Sequence, residues 1–428
     1  MYPFHPSENE PVKTDVAVVG GGPAGCFAAV ACALTGARTM LMEKNGVLGG
    51  TAVAAGVNFP GLFHAWGKQI IDGPCWKAIL RARELGGASI PKIVHSPEHH
   101  WEEQILINRF VYAYVLDEAC RKSGVAVRLH TMVSGAEEQD GRVLLLTAGK
   151  EGVRLVSAKR AVDATGDADL AGIMGYARQK SQTLQPATLI HDLGGYDFNA
   201  LDEGALNGYV AQAFRTHELF PEDFQGGTLL DSLKNKRINM HVSMRNGASS
   251  EDRTKVEMDA RCSLMRIRNA LRKMPGLENL QIVNFSDECG VRETYRIIGR
   301  KTITKEDYLN GKRYSDAICY SFYPIDRHVP TGIEQAFLKD GVVPTIPYGA
   351  LVPEGSKRLL AAGRCISGDA EANSAYRVQA SCMADGQAAG VAAALSALGN
   401  VPVGEVAYQK LCAGLTALGA IVPTPQNS

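Results

Sequence analysis

The feature that most constrains the fold of this chain is an apolar stretch at residues 15–19 that runs into a glycine-rich turn and then into a run of small residues. The turn follows the pattern GxGxxG. A buried strand that enters such a turn and continues as a helix points backbone N–H groups, and the positive end of the helix, at a diphosphate. The sequence therefore predicts a β-α-β unit that binds a dinucleotide. The residues of this turn that we expect to contact it are Gly20, Gly22, Pro23, Ala24 and Gly25.

The three glycines of the GxGxxG pattern have separate expected roles. Gly20 allows the tight turn, Gly22 lets the diphosphate approach the backbone, and Gly25 lets the helix pack closely on the strand. A second apolar strand is predicted at 38–43 and ends in Glu43. This acid lies about 20 residues after the turn, where a carboxylate accepts hydrogen bonds from the adenosine ribose.

The C-terminal part of the chain repeats this local design. An apolar strand at 358–362 runs into Gly363 and Arg364, and the segment closes on Asp369, whose carboxylate suits a hydrogen bond to a sugar hydroxyl. A long helix rich in Ala and Gly is predicted at 379–398. Because both parts of the chain have this character, we expect them to build one cofactor-binding domain.

The middle of the chain has a different pattern. A helix is predicted at 97–122 and strands at 125–130, 143–146 and 160–167. From residue 186 to 345, aromatic and charged residues become more frequent and the β-α-β rhythm fades. We interpret this range, 186–345, as a second domain inserted into the first.

Composition argues against several classes of partner. Lys plus Arg and Asp plus Glu both number 45, so no basic excess favours nucleic acid. No apolar run reaches the roughly 18 residues of a membrane span, and residues 1–10 lack the regions of a secretion signal, so a cytoplasmic protein is expected.

The ten cysteines form no CxxC pair. The adjacent His99 and His100 would point in different directions on a helix, so no metal site is expected.

Six ordered blocks of sequence carry a resemblance to known proteins. They are residues 18–36, 43–50, 163–169, 291–299, 323–328 and 346–390. In these blocks the chain resembles the flavoprotein superfamily that includes glutathione reductase and succinate dehydrogenase or fumarate reductase. More closely, it resembles the bacterial FAD-dependent oxidoreductase family, whose substrates are largely unassigned. The resemblance implies an α/β fold: a Rossmann-like FAD-binding domain from residues 12–185 and 346–428, with an inserted α+β substrate or cap domain at 186–345.

The resemblance also implies positions for FAD. The glycine turn and Glu43 would hold the adenosine diphosphate, with Lys44 beside the adenosine end and the backbone of Val133 near the adenine. The residues expected near the diphosphate, the ribityl chain and the flavin are Gly49, Gly50, Thr51, Ala164, Thr165, Gly166, Gly363, Arg364, Asp369, Val378 and Gln379. The N-terminus of the last long helix would stabilise negative charge at N1 and O2 of a reduced flavin.

Departures from these relatives narrow the chemistry. The stretch Gly49-Gly50-Thr51-Ala52 lacks the two redox cysteines of glutathione-reductase-like enzymes. Thr51 stands where succinate-dehydrogenase-like enzymes can carry a histidine bonded to the flavin, so FAD is expected to bind non-covalently. His64 is interpreted as an ordinary loop histidine. The sequence contains one complete nucleotide-binding unit, so the electron acceptor or donor stays open.

Candidate catalytic residues lie in and beside the inserted region. Arg292 could clamp a carboxylate or carbonyl oxygen and Glu293 could act as a base, but a structural ion pair is an equal alternative. Asp326 and His328 lie two residues apart in an extended segment, so their side chains should share a face. The Asp could then orient a proton-shuttling His, or the pair could simply bridge two domains. The candidates that flank the C-terminal flavin segments are Tyr348 and Arg377.

Together these features predict an FAD-dependent oxidoreductase. It would transfer a hydride between flavin N5 and a small polar organic substrate held between the two domains, as a dehydrogenase or oxidase. The alternatives are a flavin-dependent reductase of an activated C=C bond, a flavin monooxygenase, and a non-enzymatic FAD-binding redox protein. The substrate and the oligomeric state stay open.

Overall fold

The computed structural model describes residues 10–91, 102–224, 228–242, 248–329 and 332–424. The strands within these ranges are β1 (Val12–Val19), β2 (Thr39–Met42), β3 (His64–Ala65), β4 (Lys68–Gln69), β5 (Ala88–Ser89), β6 (Leu106–Ile107), β7 (Ala126–Arg128), β8 (Met132–Gln139), β9 (Arg142–Gly149), β10 (Gly152–Asp163), β11 (Arg178–Lys180), β12 (Ala187–Gly194), β13 (Arg237–Val242), β14 (Gln281–Phe285), β15 (Tyr295–Ile297), β16 (Ala317–Tyr320), β17 (Ile325–Val329), β18 (Gly332–Ala336), β19 (Thr345–Pro347) and β20 (Leu359–Ala361). The α-helices are α1 (Pro23–Leu34), α2 (Pro74–Glu84), α3 (Arg109–Lys122), α4 (Asp169–Ile173), α5 (Glu203–Arg215), α6 (Leu229–Lys234), α7 (Ser250–Leu271), α8 (Lys305–Leu309), α9 (Ala370–Tyr376), α10 (Gln379–Gly399) and α11 (Tyr408–Ala417). None of these helices is both long enough and apolar enough to cross a membrane.

The largest sheet is built from distant parts of the chain. Its parallel strands run in the order β7-β2-β1-β10, and β20 pairs with the end of β10. Strands β9 and β8 extend the sheet antiparallel along residues 152–158 of β10. Strand β20 and residues 40–42 of β2 are buried apolar runs, as expected where a parallel sheet is covered on both faces. The predicted α/β fold class is confirmed.

Helices α1 and α10 pack against each other and contact strands β1 and β10. A Cβ at Gly386 would overlap the carbonyl of Ala24, and a Cβ at Gly390 would overlap that of Ala28. Glycine at these positions therefore lets the two helices approach closely. The N-termini of both helices are thereby fixed in one region of the molecule.

A second apolar core lies within residues 184–291. Strands β12, β13 and β14 form an antiparallel sheet in the order β13-β12-β14, and helices α5, α6 and α7 contribute side chains to its core. Met240 of β13 belongs to this core, so its neighbour His241 points to the other face of the sheet. Apolar residues from 297 to 346 belong to the first core. The domain boundaries at 186 and 345 stay predictions.

The helix expected at 97–122 is shorter than predicted. It begins at Arg109, because Asn108 has an extended backbone and its side chain accepts a hydrogen bond from the Val111 N–H, which caps the helix. Residues 97–101, which include the two adjacent histidines, lie outside the described residues.

Candidate functional site

The glycine turn between β1 and α1 has one position that the protein itself leaves open. Gly20 has a φ of 101°, and a Cβ there would overlap the carbonyl of Ala164. A Cβ at Gly25 would overlap the carbonyl of Gly20. A Cβ at Gly22, by contrast, would meet no other described part of the chain within 4 Å. Packing therefore requires Gly20 and Gly25, whereas the space beside Gly22 can admit a ligand.

The residues predicted around the diphosphate come together at this turn. The Gly49 N–H donates to the carbonyl of Gly21 at 2.8 Å. A Cβ at Gly50 would lie 2.9 Å from Cα of Gly22. Gly49 has a φ of 108°, a left-handed conformation that favours glycine. The segment at 49–51 thus lies directly against the glycine turn.

Helix α1 begins after Gly22 without a side-chain cap, so its first turn and positive end suit an anion. Glu43 directly follows β2 and lies beside the glycine turn. Its Oε2 accepts from the Gly21 N–H at 2.6 Å, and its Oε1 accepts from the Asn45 N–H at 2.8 Å. Burial raises the pKa of Glu43, while the two backbone N–H groups oppose that shift. Because a carboxylate oxygen can accept more than one hydrogen bond, Glu43 retains capacity for a ribose hydroxyl.

The neighbours of Glu43 form the side of the site expected to take adenosine. Lys44 is exposed, and the Thr131 N–H donates to the carbonyl of Glu43 at 2.9 Å. Val133 is buried near the start of β8, opposite Thr147 of β9. The roles of Lys44 and Val133 stay predictions.

A cluster of charges lies on the other side of the turn. Asp167 accepts hydrogen bonds from Arg364 Nη2 at 3.2 Å, Arg253 Nη2 at 2.7 Å and Thr294 Oγ1 at 2.6 Å. Burial alone would raise the pKa of Asp167, but the charges of Arg364 and Arg253 hold it below its ordinary value. Arg364 Nη1 also donates to Thr51 Oγ1 at 3.4 Å. The Nε of Arg364 is buried and has no partner among the described residues, so it can donate to a cofactor oxygen.

Two buried carboxyl groups shape the neighbouring turns. Asp163 accepts from both the N–H and the hydroxyl of Thr165, at 3.0 and 2.7 Å, and this holds the turn at 164–166. Gly363 has a φ of 81°, and its N–H donates to Asp385 at 2.7 Å. Burial raises the pKa of both carboxyl groups. Hydrogen bonds to these two carboxyl groups therefore hold the turns at 164–166 and at Gly363, which are predicted to lie near the diphosphate and ribityl chain.

Helix α10 also begins without a side-chain cap, after Val378. Gln379 Nε2 donates to the carbonyl of Val57 at 2.7 Å, and the Ala380 N–H donates to the carbonyl of Pro60 at 2.7 Å. These bonds hold residues 57–60 against the start of the helix. The Oε1 of Gln379 is buried without a partner among the described residues, so it can accept from a cofactor N–H.

Two predicted residues make structural hydrogen bonds. The carboxylate of Asp369 caps α9 by accepting from the Ala372 N–H at 2.7 Å, and it accepts from the Lys305 N–H at 2.7 Å. The hydroxyl of Tyr348 donates to the carbonyl of Val403 at 2.5 Å, in the segment between α10 and α11. Both side chains therefore have a structural role, and their cofactor and catalytic roles stay predictions.

Glu293 takes the ion-pair arrangement that the sequence left open. Its Oε2 accepts from Arg296 Nη1 at 2.9 Å and from Ser181 Oγ at 3.0 Å, and its Oε1 accepts from the Gln185 N–H at 3.2 Å. Both members of the ion pair are buried. Because both carboxylate oxygens are engaged within the fold, this geometry does not favour Glu293 as a base.

Three buried polar side chains form a hydrogen-bonded chain from β17 to β13, here called the relay. Asp326 Oδ2 lies 3.1 Å from His328 Nε2, as their spacing predicted. His328 Nδ1 lies 3.1 Å from Nε2 of His241, a residue that sequence reasoning missed. Gln335 donates to Asp326 Oδ1 at 3.1 Å. The three side chains are bonded one after another and do not converge on a common point. Within the described ranges no group of three or more His, Cys, Asp or Glu side chains could hold a metal ion.

The protonation of the relay follows from its surroundings. Burial opposes ionisation of Asp326, but His328 and Arg377 outweigh it and lower the pKa of the carboxyl to about 2. Burial, together with the charge of Arg292, lowers the pKa of His328 to about 4 and that of His241 to about 3. At neutral pH the ionised Asp326 only accepts, so His328 carries its proton on Nε2. His328 Nδ1 then accepts from His241 Nε2–H.

Two arginines lie beside the relay. Arg377 Nη2 donates to Gln185 Oε1 at 3.3 Å and to the carbonyl of Asp326 at 3.2 Å. Arg292 Nη1 donates to the carbonyl of Pro186 at 2.5 Å. Burial, followed by the charge of Arg377, lowers the pKa of Arg292 to about 9. Adjacent residues, Gln185 and Pro186, therefore anchor both guanidinium groups. Gln185 carried no sequence signal.

The parallel sheet, the glycine turn at the start of α1 and the second turn before α9 define a dinucleotide-binding α/β protein. Over residues 15–415 the sequence matches the model of the family described as FAD dependent oxidoreductase. The chain belongs to this family.

Curated proteins are similar to parts of the chain. Mitochondrial dihydrolipoyl dehydrogenase from Bos taurus is 41% identical over 56 residues, which cover 13% of this chain and 11% of that protein. Digeranylgeranylglycerophospholipid reductase 1 from Methanosphaera stadtmanae is 25% identical over 211 residues, which cover 47% of this chain and 49% of that protein. The chain thus matches half or less of the length of these relatives.

Solved structures resemble the chain over most of its length. A geranylgeranyl bacteriochlorophyll reductase-like protein from Thermoplasma acidophilum has a TM-score of 0.48 at 13% identity, covering 96% of this chain and 84% of its own. An anhydrotetracycline hydroxylase from Streptomyces rimosus has a TM-score of 0.44 at 14% identity, covering 95% of this chain and 65% of its own.

The family implies FAD, and the site fits it in three respects. The open space beside Gly22 and the uncapped α1 suit a diphosphate, and the Nε of Arg364 is an unpaired donor for one of its oxygens or for the ribityl chain. The Oε1 of Gln379 is an unpaired acceptor at the start of α10, which suits the N3–H of a flavin. These residues would hold FAD.

Proposed function

We propose that this chain is an enzyme in which a hydride passes between FAD and a small polar organic substrate while the relay of Asp326, His328 and His241 moves the substrate's proton. A bound flavin would supply the hydride chemistry at its N5 atom. The observation that carries the proposal is the relay itself, which lies beside Arg377, the residue that precedes the N-cap of α10.

The hydrogen bonds of the relay support a different role for each member. Both ring nitrogens of His328 are engaged, so His328 cannot take a proton from a substrate directly. His241 can, because its Nδ1 makes no hydrogen bond within the described residues. As His241 Nδ1 accepts the substrate's proton, its Nε2 proton can move to His328, and Asp326 stabilises the positive charge. We therefore assign His241 as the base, with His328 and Asp326 as positioning residues.

We also propose that FAD is bound non-covalently, in a cytoplasmic member of the superfamily of glutathione reductase and succinate dehydrogenase. Thr51 offers no imidazole, and His64 packs edge-on against Trp76 with ring centroids 5.3 Å apart. Precipitation with trichloroacetic acid should leave the flavin in the supernatant. A yellow pellet would contradict non-covalent binding. We further propose that residues 186–345 form the inserted domain that holds the substrate.

Anaerobic mixing of the purified holoenzyme with a panel of alcohols, amines and hydroxy acids tests the proposed function. We expect at least one compound to bleach the flavin, and His241→Asn to slow the bleaching about 100-fold or more with FAD content unchanged. The exposed His217 supplies a matched control, His217→Asn. Bleaching of the His241→Asn variant at the normal rate would contradict the proposal. Reduction by NAD(P)H alone, followed by an oxygenated product, would favour a monooxygenase.

A further inference from the structure

The side chain of Gln185 organises the donors beside the relay. Its Oε1 accepts from the backbone N–H of His328 at 3.0 Å and from Arg377 Nη2 at 3.3 Å. Because both partners are donors, the amide oxygen must face them, and the orientation of the amide is fixed. Gln185 is 3% exposed, and its Nε2 has no hydrogen-bond partner among the described residues. A buried donor without a partner is costly unless a ligand satisfies it.

Arg377 carries a second donor of this kind, since its Nε is also buried without a partner among the described residues. Arg160 provides a contrast within the same chain. It is 2% exposed, and its Nε donates to Ser396 Oγ while its two Nη atoms donate to backbone carbonyls. A structural arginine in this fold is thus fully paired, whereas Arg377 is not.

Positive charge is also in excess here. Within the described residues neither Arg292 nor Arg377 forms an ion pair, whereas the neighbouring Arg296 pairs with Glu293 at 2.9 Å. Asp326 offsets part of both charges, but its carboxylate is already bonded within the relay. Two positive charges against one negative charge leave the site net positive, since both histidines are neutral at pH 7.

We propose that Gln185, Arg292 and Arg377 bind a carboxylate group of the substrate, which makes the substrate a small organic acid. A carboxylate is acceptor-only, so it satisfies the unpaired donors, and its single charge balances the site. The inference rests on the proposed function, because it places the oxidised carbon near the carboxylate and beside His241. A bound flavin would accept the hydride of that C–H bond, His241 would accept the proton of the O–H or N–H group on the same carbon, and a C=O or C=N bond would form.

Equilibrium binding of simple carboxylates to the resting holoenzyme tests this inference. The protein is titrated with acetate, glycolate and malonate, and with glycolamide as a neutral analogue, at constant ionic strength. Binding is followed by the flavin absorbance change and by calorimetry. We expect the acids to bind, and glycolate to bind at least about tenfold more tightly than glycolamide.

Variants assign the binding to the proposed residues. Arg292→Gln and Arg377→Gln should each raise the Kd for malonate about tenfold or more. Arg292→Lys keeps the charge but loses the planar fork, so its effect should be smaller, and it replaces Arg292→Gln if that variant loses FAD. Arg300→Gln is the matched control, because Arg300 is exposed and donates to the carbonyl of Gly404.

The outcomes separate this inference from the proposed function. Equal binding of glycolate and glycolamide, or unchanged carboxylate affinity in the Arg292 and Arg377 variants, would overturn the carboxylate site. Carboxylates that bind in the expected way while no compound reduces the flavin would support the site and contradict hydride transfer. If neutral alcohols reduce the flavin but the protein binds no carboxylate, hydride transfer would be supported and the carboxylate site would be contradicted.

Discussion

The imidazoles of His241 and His328 lie 3.1 Å apart although 87 positions separate them in the chain. His241 belongs to β13, in the sheet of the second core, whereas His328 belongs to β17, in a segment whose apolar residues join the first core. This hydrogen bond therefore connects two parts of the molecule that have separate cores. In the proposed mechanism, a proton accepted by His241 would pass through this hydrogen bond to the part of the molecule that carries the cofactor turns.

Arg292→Gln should move the acid limb of the pH profile to higher pH. The charge of Arg292 contributes to the lowered pKa values of His328 and His241, about 4 and about 3. The base must be neutral to accept a proton, so flavin reduction in the wild type should stay constant above about pH 5 and fall through these values. Without the charge, the pKa of the histidine pair rises and reduction is lost at a higher pH. Stopped-flow rates across pH, with Arg300→Gln as control, check this; an unmoved limb contradicts it.

Asp326→Asn should slow flavin reduction roughly 100-fold without loss of FAD. The amide can present its NH₂ to His328, which reverses the proton order along the relay and removes the charge that stabilises the protonated state. We expect the loss in kcat, with KM little changed. Gln335→Ala removes a donor on the other carboxylate oxygen and serves as the milder comparison. Similar effects of the two substitutions would argue against a proton relay.

Gly22→Ala and Gly25→Ala should have opposite consequences for the protein and its cofactor. Gly22 has a φ of −69° and open space for a Cβ, so the apoprotein should keep its unfolding free energy within about 0.5 kcal/mol. FAD should bind the variant at least about tenfold more weakly, because the methyl group enters the ligand space. Gly25→Ala forces an overlap with the carbonyl of Gly20 and should destabilise the protein by more than about 2 kcal/mol.

Flavin fluorescence titration and thermal unfolding measure the two glycine effects separately. Gly208→Ala, on α5, also has open space for a Cβ and controls for the substitution itself. Normal FAD affinity of the Gly22→Ala variant would show that the diphosphate does not bind beside Gly22.

His191→Leu should stabilise the second core. His191 is 1% exposed and shares a face of β12 with Leu189 and Leu193. Neither of its ring nitrogens has a partner in good hydrogen-bond geometry among the described residues, although the backbone of Leu189 lies close enough to oppose part of the lowering of its pKa. Burying an unpaired polar group costs about 1–3 kcal/mol, so leucine should raise the unfolding free energy by about 1 kcal/mol or more at pH 7. Urea unfolding measures this, and a destabilised variant contradicts it.

The same substitution should reduce the sensitivity of stability to acid. Burial lowers the pKa of His191 to about 4, below the value of about 6.5 in an unfolded chain. The unfolded state therefore binds the extra proton as pH falls from about 6.5 to about 4, and wild-type stability declines by up to about 1.4 kcal/mol per pH unit from this residue. Urea unfolding at pH 7 and pH 5 should show a smaller loss for His191→Leu. Equal losses would show that His191 does not contribute.

Contiguous signals made the cofactor half predictable. The strand, glycine turn, helix and second strand expected at 14–20, 23–36 and 38–43 were found at Val12–Val19, Pro23–Leu34 and Thr39–Met42. Each element there is specified by its own residues and by the turn that follows it. The contact between Asp326 and His328 was predictable for a similar reason, since alternation along one strand puts them on the same face.

Contacts between distant segments could not be read in this way. His241 enters the relay because β13 pairs with β12 and its outer face meets β17, and no local pattern specifies that meeting. Gln185 acquires its role only because His328 and Arg377 converge on its amide oxygen. Glu293 was a candidate by its charge alone, and its partners Arg296 and Ser181 were not evident from spacing.

The packing of α10 on α1 also sets an order of events during translation. All residues of the second core, within 184–291, leave the ribosome before β20 and α10 are synthesised. The nascent chain can therefore complete that core while the dinucleotide site still lacks Arg364 and Gln379. We expect FAD to bind only after β20 and α10 have been synthesised. The cellular supply of the cofactor would then determine how much newly made protein reaches its stable form.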